Sequence, residues 1–303
     1  MRKEVDGVTE LRVLRYFLAI AQEENISDAA ERLHVTQPTL SRQMIELEKE
    51  LGTKLFNRGR RSTKISLTEA GVFLRRHAEE IILLADKTRA AFSSSENAIT
   101  GDIYITAGET DAIRLLMQAA RIIQKENPHI RYHVFSGDAA TVEEHLEKGL
   151  ADFGLVLGPF DLVRYDFLTL PIRDTWGVLM RRDAPLAGRE SVLAEDLWDK
   201  PLILSRQITS GTQIFRWLKR DPSELNVAAY YNLAYNSSLM TAEGLGYSLI
   251  LNKLINVSGS NELCFRPLEP RLEIEIHLVW KKYQVFSKAA ELFLIQLRGM
   301  LES

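Results

Sequence analysis

The sequence predicts an α/β protein with an all-α-type N-terminal domain, and three observations predict it. Residues 9–67 are dense in helical periodicity and short breaks. A single uninterrupted helical pattern then runs from residue 68 to about 92 and ends in the polar stretch Ser93-Ser94-Ser95-Glu96-Asn97. From Gly101 onward, short β-rich runs alternate with helical patterns, as an α/β architecture requires. The expected domains are a helical domain over 9–66, a long linker helix over 67–95 and a two-lobed α/β domain over 96–303. Its first lobe takes about 100–170 and 272–303, and its second about 171–271.

Composition narrows the class. With 303 residues, 46% hydrophobic and 26% charged, the chain excludes a disordered tail, a collagen-like repeat and a disulfide scaffold. The one cysteine, Cys264, permits no intramolecular disulfide and suits a reducing compartment. No apolar stretch approaches the roughly 18 residues of a membrane span, and residues 1–6 lack the apolar run of a secretory signal. A soluble, cytoplasmic protein with no membrane partner is therefore expected. The formal charge of −3, as an average, speaks mildly against nucleic acid. Its distribution does not: residues 1–95 carry 16 bases against 14 acids, and between Arg32 and Lys64 eight bases face three acids. A local excess of that kind is a footprint of phosphate binding.

The first element of interest is residues 27–33, a short helix with Ser27 in the capping position. His34-Val35 is a tight break, and Thr36 then caps a second helix from Gln37 to about Leu51, with Pro38 tolerated in its first turn. Two helices joined so tightly form a helix-turn-helix, and Ala29-Ala30 allow the close crossing it needs. In the second helix Leu40, Met44, Leu47 and Leu51 make one apolar stripe, expected to face the core. Gln37, Pro38, Ser41, Arg42 and Ile45 lie on another face, beginning at the helix N-terminus, where recognition helices meet the major groove. Arg and Gln pair bidentately with guanine and adenine edges, and Ser is a small donor or acceptor. After Gly52, two short β-like runs flank Gly59-Arg60-Arg61, a wing with a basic tip suited to phosphates or a minor groove.

The stretch Leu11-Arg12, Phe17, Ala21, Ala29-Ala30, Leu33, Thr36-Gln37-Pro38-Thr39-Leu40-Ser41, Leu47-Glu48, Leu51-Gly52, Leu55-Phe56, Arg58, Arg61, Leu67-Thr68 and Ala70-Gly71 resembles the winged helix-turn-helix of LysR-type transcriptional regulators. The match runs from Leu11 to Gly71 without a gap, behind a short extension over residues 1–8. The resemblance implies a regulator that binds double-stranded promoter DNA under control of a small-molecule effector, without a cofactor or enzymatic activity. It further implies a homotetramer built as a dimer of dimers, dealings with RNA polymerase, autoregulation and control of a divergent neighbouring gene. The expected DNA contacts are Thr36, Gln37, Pro38, Ser41 and Arg42 on the helix and Arg58, Arg60 and Arg61 on the wing.

Thr68 caps the long helix, which at 1.5 Å per residue spans roughly 37 Å. Phe73, Leu74, His77, Ile81, Leu84, Ala85 and Thr88 trace a mostly apolar seam, opposite a charged face that includes Arg75, Glu79 and Asp86. A helix of this length without a domain to cover it calls for a partner helix. In the family resembled, linker helices pair antiparallel. A two-fold dimer then predicts a pseudo-palindromic site with half-sites about one helical turn apart.

Beyond Gly101, strands are expected at 102–107, 131–135 and 153–157, with helices at about 110–126 and 141–148. A second lobe starts at 176–180 and includes 201–205, a helix at about 212–219, 227–231 and 237–245. A strand at 273–280 and a helix at 288 to about 301 return to the first lobe. Two lobes joined by crossover strands make a cleft that binds ligands at strand carboxyl ends. The pattern is similar to the family's effector domain, itself similar to periplasmic solute-binding proteins. That resemblance places Gly108, Glu109, Thr110, Ser136, Gly137, Gly158, Ser205, Arg206, Thr209, Ser210 and Tyr235 at the cleft. Helix N-termini bearing Thr and Ser favour anions, and Arg206 suits a carboxylate. Glu109 points the other way, to a cationic or hydroxyl-rich effector or to an internal pair with Arg206.

No catalytic set stands out. Gly244-Leu245-Gly246 lacks the third glycine of a dinucleotide fingerprint, and His129 and His133 have no Cys or second His pair beside them. The alternative function, a solute-binding or enzymatic α/β protein with an N-terminal assembly module, leaves Gln37, Ser41 and Arg42 without a role.

Overall fold

The computed structural model describes residues 10–58, 65–92, 99–158, 160–161, 163–208, 212–259 and 262–302. The chain divides into two compact units, Met1–Ser93 and Ser94–Ser303.

The first unit runs α1 (Leu11–Glu23), α2 (Ile26–Arg32), α3 (Gln37–Glu50), the hairpin β1 (Phe56–Arg58) and β2 (Ile65–Leu67), and α4 (Glu69–Phe92). Leu14, Phe17 and Ile20 of α1 meet Ala29, Ala30, Leu40, Met44 and Leu47 in one buried core. The cap of α2 is Asn25 rather than the expected Ser27. The extended backbone of Asn25 brings its side-chain oxygen to the Ser27 N–H at 2.8 Å, so Ser27 lies inside the first turn. Thr36 caps α3, accepting from the Thr39 N–H. Leu51, expected to continue the α3 stripe, is 42% exposed. It follows the last helical residue, and Gly52 at φ +67° then turns the chain away in a conformation that favours glycine.

The wing pairs antiparallel, Phe56 with Leu67 and Arg58 with Ile65, and Ile65 N–H bonds the carbonyl of Glu24 at 2.7 Å. Thr68 begins α4 as expected, its hydroxyl accepting from Gly71 N–H and donating to the Lys54 carbonyl. Gly71 lies so close to the wing base that a Cβ there would stand 2.2 Å from the Leu55 oxygen. Along α4, Ala70, Leu74, Ala78 and Ile82 pack on the unit's own core. Leu74 therefore leaves the expected open seam, because its i, i+4 partners face inward. Val72, Phe73, Ile81 and Leu84 remain exposed.

The second unit is built on one long path of strands: β3 (Gly101–Ala107), β4 (Ile130–Ser136), β5 (Phe153–Leu157), β6 (Tyr165–Arg181), β7 (Leu202–Ser205), β8 (Val227–Tyr231), β9 (Tyr247–Leu251), β10 (Leu263–Pro267) and β11 (Glu273–Lys281). Their order is β4-β3-β5-β11-β6-β9-β7-β8, with β10 also paired to β6. Parallel pairs β3–β4 and β3–β5 centre one lobe, and β7–β8 and β7–β9 the other. The 17 residues of β6 join them: residues 165–175 pair with β11, and residues 176–181 pair with β9 and β10. The β6–β11 register slips between Glu275 and His277, opposite the stretch from Thr169 to Arg173 that holds Pro171, a residue that cannot donate to the ladder.

Helices α5 (Ile113–Glu126), α6 (Ala139–Glu147) and α9 (Lys288–Glu302) belong to the first lobe, and α7 (Gln213–Leu218) and α8 (Ala234–Ala242) to the second. Separate apolar cores hold the two lobes, one around Ile105, Phe153 and Phe293, the other around Val178, Leu204 and Leu249. The expected helix at 110 begins at Ile113, because the Thr110 hydroxyl accepts from Ala112 N–H and donates to Asp174 at 2.6 Å. No helix among the described residues is long and apolar enough to cross a membrane.

Candidate nucleic-acid interface and ligand cleft

Helix α3 sorts its residues by face. Leu40, Met44 and Leu47 are at most 1% exposed. Thr36, Gln37, Pro38, Arg42 and Ile45 lie open to solvent, and Ser41 is half-buried between the two sets. Arg42 does not stand alone: its Nε donates to Glu46 Oε1 at 2.9 Å, while Gln43 donates to the other oxygen of Glu46. Both ends of that pair are exposed, so it is a weak restraint on the free protein. Two further bases of the basic window are paired as well, Arg32 with Glu23 and Lys54 with Glu48. Arg58 occupies the last position of β1. Arg60 and Arg61, at the expected wing tip, lie outside the described residues.

Sequence reasoning gave no role of its own to Glu48, which fixes the wing to α3. Its buried carboxylate accepts from Leu55 N–H at 2.9 Å, from Phe56 N–H at 3.4 Å and from Lys54 at 2.8 Å. Burial pushes the carboxyl pKa up, but Lys54 and the two backbone amides together hold it below the usual range. A single buried acid in an otherwise apolar helix face was the available signal.

In the second unit a cavity of about 420 Å³ opens between the lobes. The first lobe contributes Glu109, Gly137, Asp138 and Ala140, and the second contributes Ser205, Arg206, Gln207, Gln213 and Asn232. Leu157, Trp176, Ile208, Leu251 and Ile274 form apolar walls. Of the expected positions, Glu109, Gly137, Ser205 and Arg206 line this space. Gly108 is buried beside it, its N–H held by the Leu155 carbonyl. Thr110 is turned to Asp174, Ser136 is exposed at the end of β4, and Gly158 backs onto Ile274. Tyr235 is 66% exposed and is not among the lining residues, while Thr209 and Ser210 lie outside the described residues. Trp176, Gln207 and Asn232 had no sequence signal, since only the pairing of distant strands brings them to one wall.

Electrostatics separate the acids of the cleft. Asp138 caps α6 through the N–H and hydroxyl of Thr141, which hold its carboxyl below the usual range. Glu109 reaches across the cleft instead, and one of its oxygens accepts from the N–H of Ala234, the first residue of α8. Burial pushes the Glu109 carboxyl up, against the pull of that N–H. No ion pair joins Glu109 to Arg206 among the described residues. Asp174, deeper and nearly inaccessible, is also pushed up by burial, with Thr110 opposing. His133 is accounted for by Asp102, 2.8 Å from its Nε2, and by stacking on Tyr104.

The family model described as the LysR substrate binding domain matches residues 96–302, and that of the bacterial regulatory helix-turn-helix protein, lysR family, matches residues 11–72. The Hca operon transcriptional activator HcaR of Escherichia coli strain K12 is 28% identical over 280 residues, spanning 90% of this chain and 92% of that protein. The HTH-type transcriptional regulator BudR of Raoultella terrigena is 27% identical over 284 residues, spanning 91% and 96%. Full-length CbnR complexed with its target DNA has the same fold, with a TM-score of 0.71 at 21% identity over 96% of this chain and 99% of that one. Two family models that together take in nearly the whole chain place it plainly: it belongs to the LysR family of transcriptional regulators, with a DNA-binding helix-turn-helix and a substrate-binding domain.

Proposed function

We propose that α3 reads promoter DNA through Gln37, Ser41 and Arg42, with Thr36 and Pro38 at the groove edge and Arg58, Arg60 and Arg61 of the wing on phosphates. The carrying observation is the division of α3, apolar residues fully buried on one face and Gln37, Pro38 and Arg42 open on the other. Footprinting of the chain on its promoter at moderate salt should give a protected pseudo-palindrome. Absence of any protected site sinks the proposal. The exposed row Phe73, Ile81 and Leu84 on α4 supports pairing with a second copy, and through it a dimer of dimers. RNA polymerase is the further partner that regulation of transcription calls for, and the cytoplasm is the compartment; no enzymatic step is proposed.

The cleft between the lobes is the effector site, formed around Glu109, Gly137, Ser205 and Arg206. An effector that favours one lobe arrangement changes promoter affinity by a coupling on the order of 1–3 kcal/mol. Ala140, exposed at the cleft, offers a clean test: Ala140→Trp narrows the space without touching the core. Metabolites that raise the melting temperature of the wild type should lose that effect in Ala140→Trp. Equal stabilisation of both proteins would move the effector site elsewhere.

A further inference from the structure

The cleft holds two charged groups that do not satisfy each other. Glu109 is half-buried, one oxygen has the Ala234 N–H, and no lysine or arginine among the described residues pairs with it. Arg206 lines the same cavity as an exposed residue, and no acid among the described residues pairs with it. The other lining acid, Asp138, is already engaged by Thr141. The same cavity also has apolar walls, with Leu157, Trp176 and Ile274 among them.

Each simpler ligand class leaves one group opposed. A mono- or dicarboxylate suits Arg206 and meets repulsion from Glu109, while an amine or diamine does the reverse. A ligand with one charge of each sign, set on an apolar body, neutralises both and places carbon against carbon. We propose that the ligand of this cleft is a zwitterionic amino acid with an apolar body, its ammonium group facing Glu109 and its carboxylate facing Arg206. The proposal rests on the cleft being the effector site and adds the ligand's chemistry. The upward pull of burial on the Glu109 carboxyl fits it, since an arriving ammonium compensates the solvent the carboxylate has lost.

Glu109 is then a specificity residue, and Glu109→Gln isolates its charge, because the amide oxygen can still accept from Ala234 N–H. Titration calorimetry on the full chain uses three ligand sets: L-phenylalanine with phenylpropionate and phenethylamine, L-leucine with isocaproate and isoamylamine, and ε-aminocaproate with caproate and amylamine. At least one zwitterion should bind about tenfold or more tighter than both of its partners, as a charge-assisted hydrogen bond supplies. Glu109→Gln should bring that zwitterion to the affinity of its carboxylate, and Arg206→Gln to that of its amine. An unfolding transition by tryptophan fluorescence that matches the wild type certifies that each variant's second unit, which holds all four tryptophans, is folded.

The proposal is overturned if the bare carboxylates bind as well as the zwitterions, if Glu109→Gln leaves the preference intact, or if no member of any set binds. These outcomes are separate from failure of the cleft itself. A metabolite that stabilises the wild type but not Ala140→Trp keeps the effector site and removes only the ligand class, whereas equal stabilisation of both removes the site.

Discussion

The two units place function in opposite ways. In the DNA-reading unit, the groups proposed to touch bases are neighbours on one helix, from Thr36 to Arg42. In the sensing unit, the groups around the cavity come from segments between Glu109 and Ile274, brought together only when β6 joins two separately packed lobes. A helix face is set by local periodicity, so residue type and spacing carry its chemistry. A cleft wall is set by strand order and register, and its chemistry depends on pairings between residues more than a hundred positions apart. Altering the first unit should therefore give sharp, position-specific effects, and altering the second should give effects that depend on what the cleft contains.

The largest effect expected in the reading unit is structural. Glu48→Ala removes the acceptor for the Leu55 and Phe56 amides and the partner of Lys54, a loss of about 2–4 kcal/mol when buried donors are left unmet. All four tryptophans, Trp176, Trp198, Trp217 and Trp280, lie in the sensing unit. Urea unfolding of the variant followed by circular dichroism should thus shift while the tryptophan transition stays in place; a common shift would mean the units do not unfold separately. The sign with pH follows from the lowered Glu48 carboxyl. Its contribution is present above the unfolded-state pKa and is lost as pH falls through the lower folded value. Wild type and Glu48→Ala should converge in acid.

Next in size is Arg42→Ala, with a loss of roughly 1–3 kcal/mol confined to one base position. Arg60→Ala should instead weaken all sequences alike and flatten the salt dependence. Binding measured on promoter variants distinguishes them, and an equal, sequence-independent loss for both would erase the proposed division between helix and wing.

In the sensing unit, Asp174→Asn keeps an acceptor for the Thr110 hydroxyl and removes a buried charge, a change on the order of 1 kcal/mol. Because the folded pKa is raised, the wild type's advantage is complete below the unfolded-state pKa and disappears as pH rises through the folded value. The tryptophan transition should therefore move in favour of Asp174→Asn as pH rises, and a pH-independent difference would count against burial as the cause.

The same contrast sets what could be read from sequence. The Thr36 cap, the buried Leu40, Met44 and Leu47 and the open Arg42 were legible because each follows from helical spacing. Asn25 was missed as a cap because Ser27 offers an equally good side chain two residues on, and only backbone angles decide between them. In β6, polar residues and Pro171 conceal the first half of the strand, whose buried and exposed positions do not alternate. β9 was missed because Tyr247–Leu251 is buried on both faces, so it lacks the period of two that marks a half-exposed strand. Glu109 was singled out by its charge, but its partner, Ala234, is 125 residues away.

The smallest effect bears most directly on how the reading helix is held before it meets DNA. In the proposed reading Arg42 leaves Glu46 to reach a base edge, and an exposed i, i+4 pair of this kind is worth about 0.3–0.5 kcal/mol. Glu46→Gln removes that restraint and one negative charge near the phosphates, so promoter affinity should rise about two- to threefold at low salt. Part of the gain is ordinary charge repulsion and does not involve Arg42. The double-mutant cycle separates the two. If Glu46 holds Arg42 in the free protein, Arg42→Ala should cost about 0.3–0.5 kcal/mol more in the Glu46→Gln background than in the wild type. Strict additivity would mean that the pair seen on the free helix has no bearing on recognition, and that Glu46 acts on DNA through its charge alone.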